Sequence, residues 1–371
     1  MKSVSLLHYF LIISLILSSC RVEDDSASLP FVSFEAIAKP QSDDVFALPY
    51  IRELTQSVAN WQINHPIDMP ESNDWARSTF MLGIIAAYKV TQNNDYLTYC
   101  QRWAEQNRWR LSTHSHAANN LLCGKVYLEL MELNKILGDT QAVRQEIQRL
   151  RSVDIPGREE WHWSDAFFMA PPTIVHFHKS LDYSSNYDRF YAMWWDAHDH
   201  LYSPADSLYY RDERFIGSET FWLRGNGWVV AGIVKILEQL SPEDQEYLKL
   251  SEILIEIAKK FKNFQNQEGL WHPSILNSQK HLLSETSGSA LVCYALAWGV
   301  NHGVLSKEEF SSCIENAWQG IVSKIYDTGK VGWVQPRGER PMDINAHDFQ
   351  EYGAGSVLLA AYEIYQFAKD E

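Results

Sequence analysis

The chain has 371 residues, 46% hydrophobic, 13% aromatic and 21% charged, which is ample material for a core and no signature of disorder. Its formal net charge of −15, from 32 Lys and Arg against 47 Asp and Glu with no basic run, excludes a whole-chain field that attracts phosphates. Nucleic acid is therefore not an expected partner, although a few arginines suffice for one local anion pocket.

Taken in chain order, the N-terminus reads as an address. Lys2 precedes an apolar stretch over 6–17, too short to span a bilayer and right for a signal h-region. It ends in Leu17-Ser18-Ser19-Cys20, which resembles the lipobox of bacterial lipoproteins and marks Cys20 for lipidation; a signal peptide with a chance Cys is the alternative. The expected organisation is a signal peptide over 1–19, a lipidated Cys and polar tether over 20–42, and one domain over 43–371. The expected location is an exported bacterial lipoprotein, periplasm-facing or on the outer-membrane surface, touching the membrane only through its anchor. Glu23, Asp24 and Asp25 are compatible with surface display. The remaining cysteines, Cys100, Cys123, Cys293 and Cys313, form no C-x-x-C and read as buried small hydrophobes.

From residue 43 the chain reads as helices almost throughout. Segments 74–91, 116–134, 163–181, 221–240, 282–303 and 347–367 share a polar or aromatic entry, small residues, then an apolar stretch at helical spacing. Stretches such as GNGWVVAGIVKIL and GAGSVLLAAYEIY are apolar nearly all round, as helices buried on every side must be. Segments 95–107, 140–151, 242–264 and 307–326 carry Glu and Lys on one face, with 43–60 as the first of this kind. Six inner–outer pairs make an all-α (α/α)6 toroid. Excursions over 208–215, 269–275 and 330–336 combine aromatics with turn formers, and such loops converge on one rim.

The most informative stretch is WHWSDAFFMAPP, ending at Pro172. Asp165 among aromatics is partly desolvated, which raises a carboxyl toward general-acid use; as a helix N-cap it would instead be lowered. Pro171 and Pro172 must occupy a first turn or a kink. In FWLRGNGW, Arg224 has the fork to grip a carboxylate, Trp222 and Trp228 have faces for a sugar ring, and the glycines admit close backbone approach. The His176/His178 and His198/His200 pairs at i,i+2 point to different helix faces and make poor metal pairs. Trp271, His272 and Trp333 either stack on further sugars or pack their loops.

These motifs, with E-T-S-G-S-A from Glu285 and E-Y-G-A-G from Glu351, occur in an order that resembles the unsaturated rhamnogalacturonyl hydrolases of glycoside hydrolase family 105, relatives of the unsaturated glucuronyl hydrolases. The resemblance covers roughly residues 70–367. It implies an (α/α)6 barrel acting on lyase-generated oligosaccharides whose nonreducing end is a C4=C5 unsaturated uronic acid. An aspartic acid protonates C4, water adds at C5, and the hemiketal collapses to release the next sugar, without metal or organic cofactor. Asp165 matches the acid, and Trp222, Arg224 and Trp228 match positions that hold the ring and its carboxylate. Unsaturated galacturonyl-rhamnose from rhamnogalacturonan is the default substrate, an anionic oligosaccharide the expected partner.

Two departures stand out. Relatives usually have an Asp pair where this chain has Asn119 and Asn120, which keeps hydrogen bonding but loses charge. Arg211 stands where many relatives have His; it either adds a cation for the substrate or pairs with Asp212 or Glu213. Both leave open other lyase products, such as those of ulvan or arabinogalactan, and a sugar-binding lipoprotein with a degenerate site. An epimerase or lyase on the same barrel would need a His or Tyr base at the pocket centre.

Overall fold

The computed structural model describes residues 32–69, 71–113, 117–134, 136, 138–152, 154–180 and 188–369. The expected signal peptide, Cys20 and the first part of the tether lie outside them.

Apolar residues on every face drive one set of helices to the centre. These are α2 (Trp75–Thr91), α4 (Ala117–Asn134), α7 (Ala166–Met169) with α8 (Pro171–Ser180), α10 (Leu223–Leu237), α12 (Thr286–Asn301) and α14 (Glu351–Phe367). Each packs on the next, and α14 packs back on α2, so the ring closes. All of α10 is buried. Gly83 and Gly355 let α2 and α14 touch: a Cβ on Gly83 would lie 2.7 Å from the Gly355 Cα. Forcing a methyl into such a contact costs about 1–3 kcal/mol.

The outer set is amphipathic: α1 (Leu48–Asn64), α3 (Asn94–Gln106), α5 (Gln141–Ser152), α9 (Asp188–Leu201), α11 (Gln245–Phe264) and α13 (Lys307–Ser323). In α5 only Val143, Ile147 and Leu150 are buried, one stripe at helical spacing. The short α6 (Gly157–Glu160) packs against α9. A two-residue hairpin follows α9: β1 (Tyr202–Ser203) pairs antiparallel with β2 (Leu208–Tyr209), Tyr202 opposite Tyr209. Among the described residues this gives six inner and six outer positions, the expected toroid.

Three details differ from the sequence reading. The segment 163–181 is not one helix, because Pro171 and Pro172 begin a new first turn where their missing N–H groups are tolerated. The sixth outer helix is α9, which the charge pattern did not single out. The expected tether ends early. Val32 onward belongs to the compact unit: Phe34 stacks on Tyr96, Asn60 donates to the Glu35 carbonyl, Ser57 to that of Ile37, and Lys39 Nζ to those of Val322 and Ile325.

The two ends of the ring differ. Toward the C-terminal ends of the inner helices, Lys125, Glu129, His176, Lys235 and Glu363 are buried side by side with Glu238 and Tyr294. The N-terminal ends carry the site.

Candidate active site

Asp165 stands immediately before α7. Its side chain makes no cap hydrogen bond, so the N-cap reading does not hold. Ser164 donates its hydroxyl to Asp165 Oδ1 at 3.2 Å. The Ser164 N–H is bound by the Arg211 carbonyl at 2.8 Å, and Trp163 bridges Asp212, so the acid and the 208–215 loop are fastened together. Burial holds the Asp165 carboxyl above the usual carboxylate range, a rise to which the Asp212 carboxylate adds. The Arg211 and Arg224 cations and the Ser164 hydroxyl act in the opposite sense. Gly225 is required underneath: a Cβ there would meet Ser164 Oγ at 2.8 Å and the Trp222 ring at 3.1 Å.

Asp165 opens onto a cavity of about 300 Å³ lined by Trp75, Asn119, Trp163, Met169, Arg211, Arg337, Gly338 and Glu339. Asn119, on the first turn of α4, is 7% exposed, and its Oδ1 has no donor among the described residues. Arg211, 6% exposed, gives Nη1 to Asp212 Oδ2 at 2.7 Å, while its Nε has no acceptor among the described residues. The two readings of Arg211 thus coexist: it is paired with Asp212, and it lines the cavity. Asn120, one residue beyond Asn119, is not on the cavity wall.

Three residues read as touching the sugar stand behind that wall instead. Trp222, Arg224 and Trp228 are each 1% exposed. Arg224 donates to the carbonyls of Gln335 (2.7 Å) and Pro336 (3.0 Å), its guanidinium sandwiched between the rings of Trp222 and Tyr352 at 4.5 and 4.9 Å. Trp222 Nε1 donates to Gln335 Oε1, and Trp228 packs edge-on against Trp75. The reason is the loop after Val334, whose carbonyls need donors once buried. Through that loop the RGNGW motif places Arg337, Gly338 and Glu339 on the cavity.

The glutamates of the other two motifs are likewise committed. Glu285 caps α12 through the Ser287 and Gly288 N–H groups and also accepts from Gln335 N at 3.0 Å. Glu351 pairs with buried Arg77 at 2.7 Å and accepts from Ile67 N. Trp271 is buried with Nε1 on the Phe261 carbonyl, and Trp333 stacks on Tyr326, so both pack loops. Sequence reasoning missed Arg337, which is bound by Asp68 and by Asp74 (2.9 Å), and Glu339, bound by Arg214 (2.7 Å). Their only signal was adjacency to the third rim loop.

A closed double ring of helices with a desolvated aspartate, arginines and aromatic walls at one rim defines an (α/α)6 enzyme of the kind that processes sugars. The family model described as Glycosyl Hydrolase Family 88 matches residues 50–368, and the chain belongs to that family. The unsaturated 3S-rhamnoglycuronyl hydrolase of Formosa agariphila is 28% identical over 332 residues, spanning 82% of this chain and 87% of that one. A solved family 88 glycosyl hydrolase from Bacteroides vulgatus superposes with a TM-score of 0.79 at 26% identity, covering 86% of this chain and 99% of its own. A solved structure described as a polysaccharide lyase gives 0.80 at 26% identity, covering 88% and 99%. The chain is a glycoside hydrolase.

Proposed function

We propose that the protein removes the terminal C4=C5 unsaturated uronic acid from lyase-generated oligosaccharides by hydrating the double bond, with Asp165 as acid and base. The observation that carries this is Asp165 itself: a carboxyl raised by burial, uncommitted to a helix cap, at the wall of a cavity bordered by arginines. The π pair of C4=C5 takes the Asp165 proton at C4, and the cation left at C5 is stabilised by the ring oxygen. Water then adds at C5 and returns a proton to the Asp165 carboxylate. The hemiketal opens, and the acetal carbon of the former ring releases the next sugar.

The substrate reading is an unsaturated uronyl unit linked to rhamnose. The name of the Formosa relative, unsaturated 3S-rhamnoglycuronyl hydrolase, supports a uronyl unit linked to rhamnose and widens the choice beyond rhamnogalacturonan fragments. The test is ultraviolet absorbance of the C4=C5 bond over a panel of unsaturated uronyl disaccharides. Decay with one of them supports hydration. A lyase reading, suggested by the likeness to a solved structure described as a polysaccharide lyase, lacks the His or Tyr base it needs among the described residues of the cavity wall; absorbance rising on an intact polysaccharide would be its signature.

We also propose export and lipidation at Cys20, supported by the Leu17-Ser18-Ser19-Cys20 sequence after an apolar stretch. Labelled palmitate should appear on the wild-type chain in a bacterial host and not on Cys20→Ala; equal labelling of both would refute it.

A further inference from the structure

A uronate carries its carboxylate next to the reacting double bond, so the cation that grips it sets both orientation and choice of acid over neutral sugar. A bidentate grip needs a guanidinium with one whole edge unoccupied. Four arginines stand around the Asp165 cavity, and they differ in what their edges hold. Arg224 spends both Nη atoms on backbone carbonyls and is sealed between Trp222 and Tyr352; its Nε also has no acceptor among the described residues, but neither edge is wholly unoccupied. Arg337 spends Nη1 on Asp74 and Nη2 on Asp68. Arg214 spends Nε and Nη2 on Asp212 and Glu339. Arg211 gives only Nη1, to Asp212, and its Nε–Nη2 edge carries no acceptor among the described residues.

Arg211 is also more than nine-tenths buried and lines the cavity with Asp165. A buried guanidinium edge without an acceptor is costly unless a ligand completes it. A second unsatisfied group, Asn119 Oδ1, lines the same cavity and accepts but does not repel an anion's hydroxyl neighbours. Arg211 is held in place from behind. Asn226 brackets the backbone of Tyr209, accepting from its N–H at 2.7 Å and donating to its carbonyl at 2.9 Å, and the Arg211 carbonyl accepts from Ser164.

We propose that in this chain the substrate carboxylate is gripped by the Nε–Nη2 edge of Arg211, with Asn119 accepting from a ring hydroxyl, while Arg224 is a positioning residue that holds the Gln335–Pro336 backbone. This rests on the uronyl-hydrolase reading and departs from what the family resemblance implies, which gives the carboxylate to Arg224.

The test compares an unsaturated uronyl-rhamnose disaccharide with its methyl ester, bound by Asp165→Asn so that neither turns over, followed by tryptophan fluorescence. The acid is expected to bind about 10–100-fold tighter than the ester, the range of one charge-assisted bidentate grip. Adding Arg211→Gln should bring that ratio close to one, and Arg211→Lys should restore part of it. Adding Arg224→Gln should weaken acid and ester alike and keep the ratio; Arg224→Lys serves if the glutamine variant does not fold. A ratio abolished by substitution at Arg224 and kept in Arg211→Gln would overturn the inference. Equal binding of acid and ester before any arginine is changed would also overturn it, while decay of absorbance with the intact enzyme would leave the hydrolase reading standing. Absence of both binding and absorbance decay would sink the two together.

Discussion

Glu285 belongs to one of the motifs that carry the family resemblance, and the structure makes it a strut. Its carboxylate accepts from Ser287 N at 3.0 Å, Ser287 Oγ at 2.6 Å, Gly288 N at 2.6 Å and Gln335 N at 3.0 Å, and the residue is 1% exposed. Replacing it with alanine strands three backbone N–H groups in the interior. At about 1–3 kcal/mol for each unsatisfied group, reduced where water enters the vacated space, the loss is on the order of 3–6 kcal/mol. That is a large part of the roughly 5–15 kcal/mol that typically holds a domain. Glu285→Gln keeps one acceptor oxygen but faces its amide N–H₂ against a backbone N–H, so it should cost about 1–3 kcal/mol. Urea unfolding measures both, through the midpoint at constant slope. Because Gln335 leads into Arg337, Gly338 and Glu339, KM should rise in step with the stability loss. The reasoning is refuted if Glu285→Ala unfolds within about 0.5 kcal/mol of wild type, the range of an ordinary surface change. It is equally refuted if Glu285→Gln keeps full stability but loses turnover, which would make Glu285 a group that touches substrate.

Further expectations follow from the same geometry. Gly225→Ala should push Ser164 off Asp165 and lower kcat about tenfold or more, the scale of a displaced catalytic group, with the unfolding midpoint showing whether the fold survives. A general acid is lost as pH rises through its pKa, so the activity limb at higher pH reports Asp165. Asp165 is faced by Arg211 and Asp212 from the rim loop, Arg224 from α10, Tyr352 from α14, and Arg337 and Glu339 across the cavity. Arg211→Gln removes a cation that lowers the Asp165 pKa, so the limb in kcat should move to higher pH; a limb that stays or moves down contradicts this. Asn119→Asp adds an anion to the cavity and should move the limb in the same direction. At the other end of the ring, burial raises the Glu363 carboxyl to about 7 from an ordinary value of 4.5. A carboxyl raised on folding is favourable while protonated, so stability is fully present below pH 4.5 and is lost as pH rises to about 7. Glu363→Gln should match wild type near pH 4 and exceed it above pH 7, by at most about 3 kcal/mol; equal unfolding midpoints at pH 8 would refute the assignment.

Much of the ring was legible because burial leaves a direct mark on sequence. Helices enclosed on all sides have little room for Glu or Lys, and α12, which carries no charged residue, shows that plainly. The outer helix α9 escaped because its outward side mixes Asp188, Arg189, Asp196 and Asp199 with Tyr191 and Trp195 and carries no Glu or Lys, so its polar face is broken up by large rings. Asp165 was found by its aromatic neighbours, and its desolvation follows from them. Arg224 misled because sequence gives residue type without direction: the fork that grips a carboxylate grips two buried carbonyls equally well. Only the fold reveals that Gln335 and Pro336 claim it. Arg337 was invisible for the converse reason, since a lone Arg in a Gly-containing loop looks like solvent-exposed surface until Asp68 and Asp74 are placed beside it. The early end of the tether turns on long-range pairs, such as Lys39 with Val322, that no local pattern announces.

The central claim is that Asp165 delivers a proton to C4 of an unsaturated uronate. Turnover in deuterium oxide tests it directly, with the product read by nuclear magnetic resonance. The account predicts one deuteron at C4, on one face only, accompanying loss of the C4=C5 absorbance, and a fall of about 10²–10⁴-fold in Asp165→Asn, the usual contribution of a positioned acid. A product without deuterium at C4, or an Asp165→Asn variant that turns over within tenfold of wild type, would contradict it.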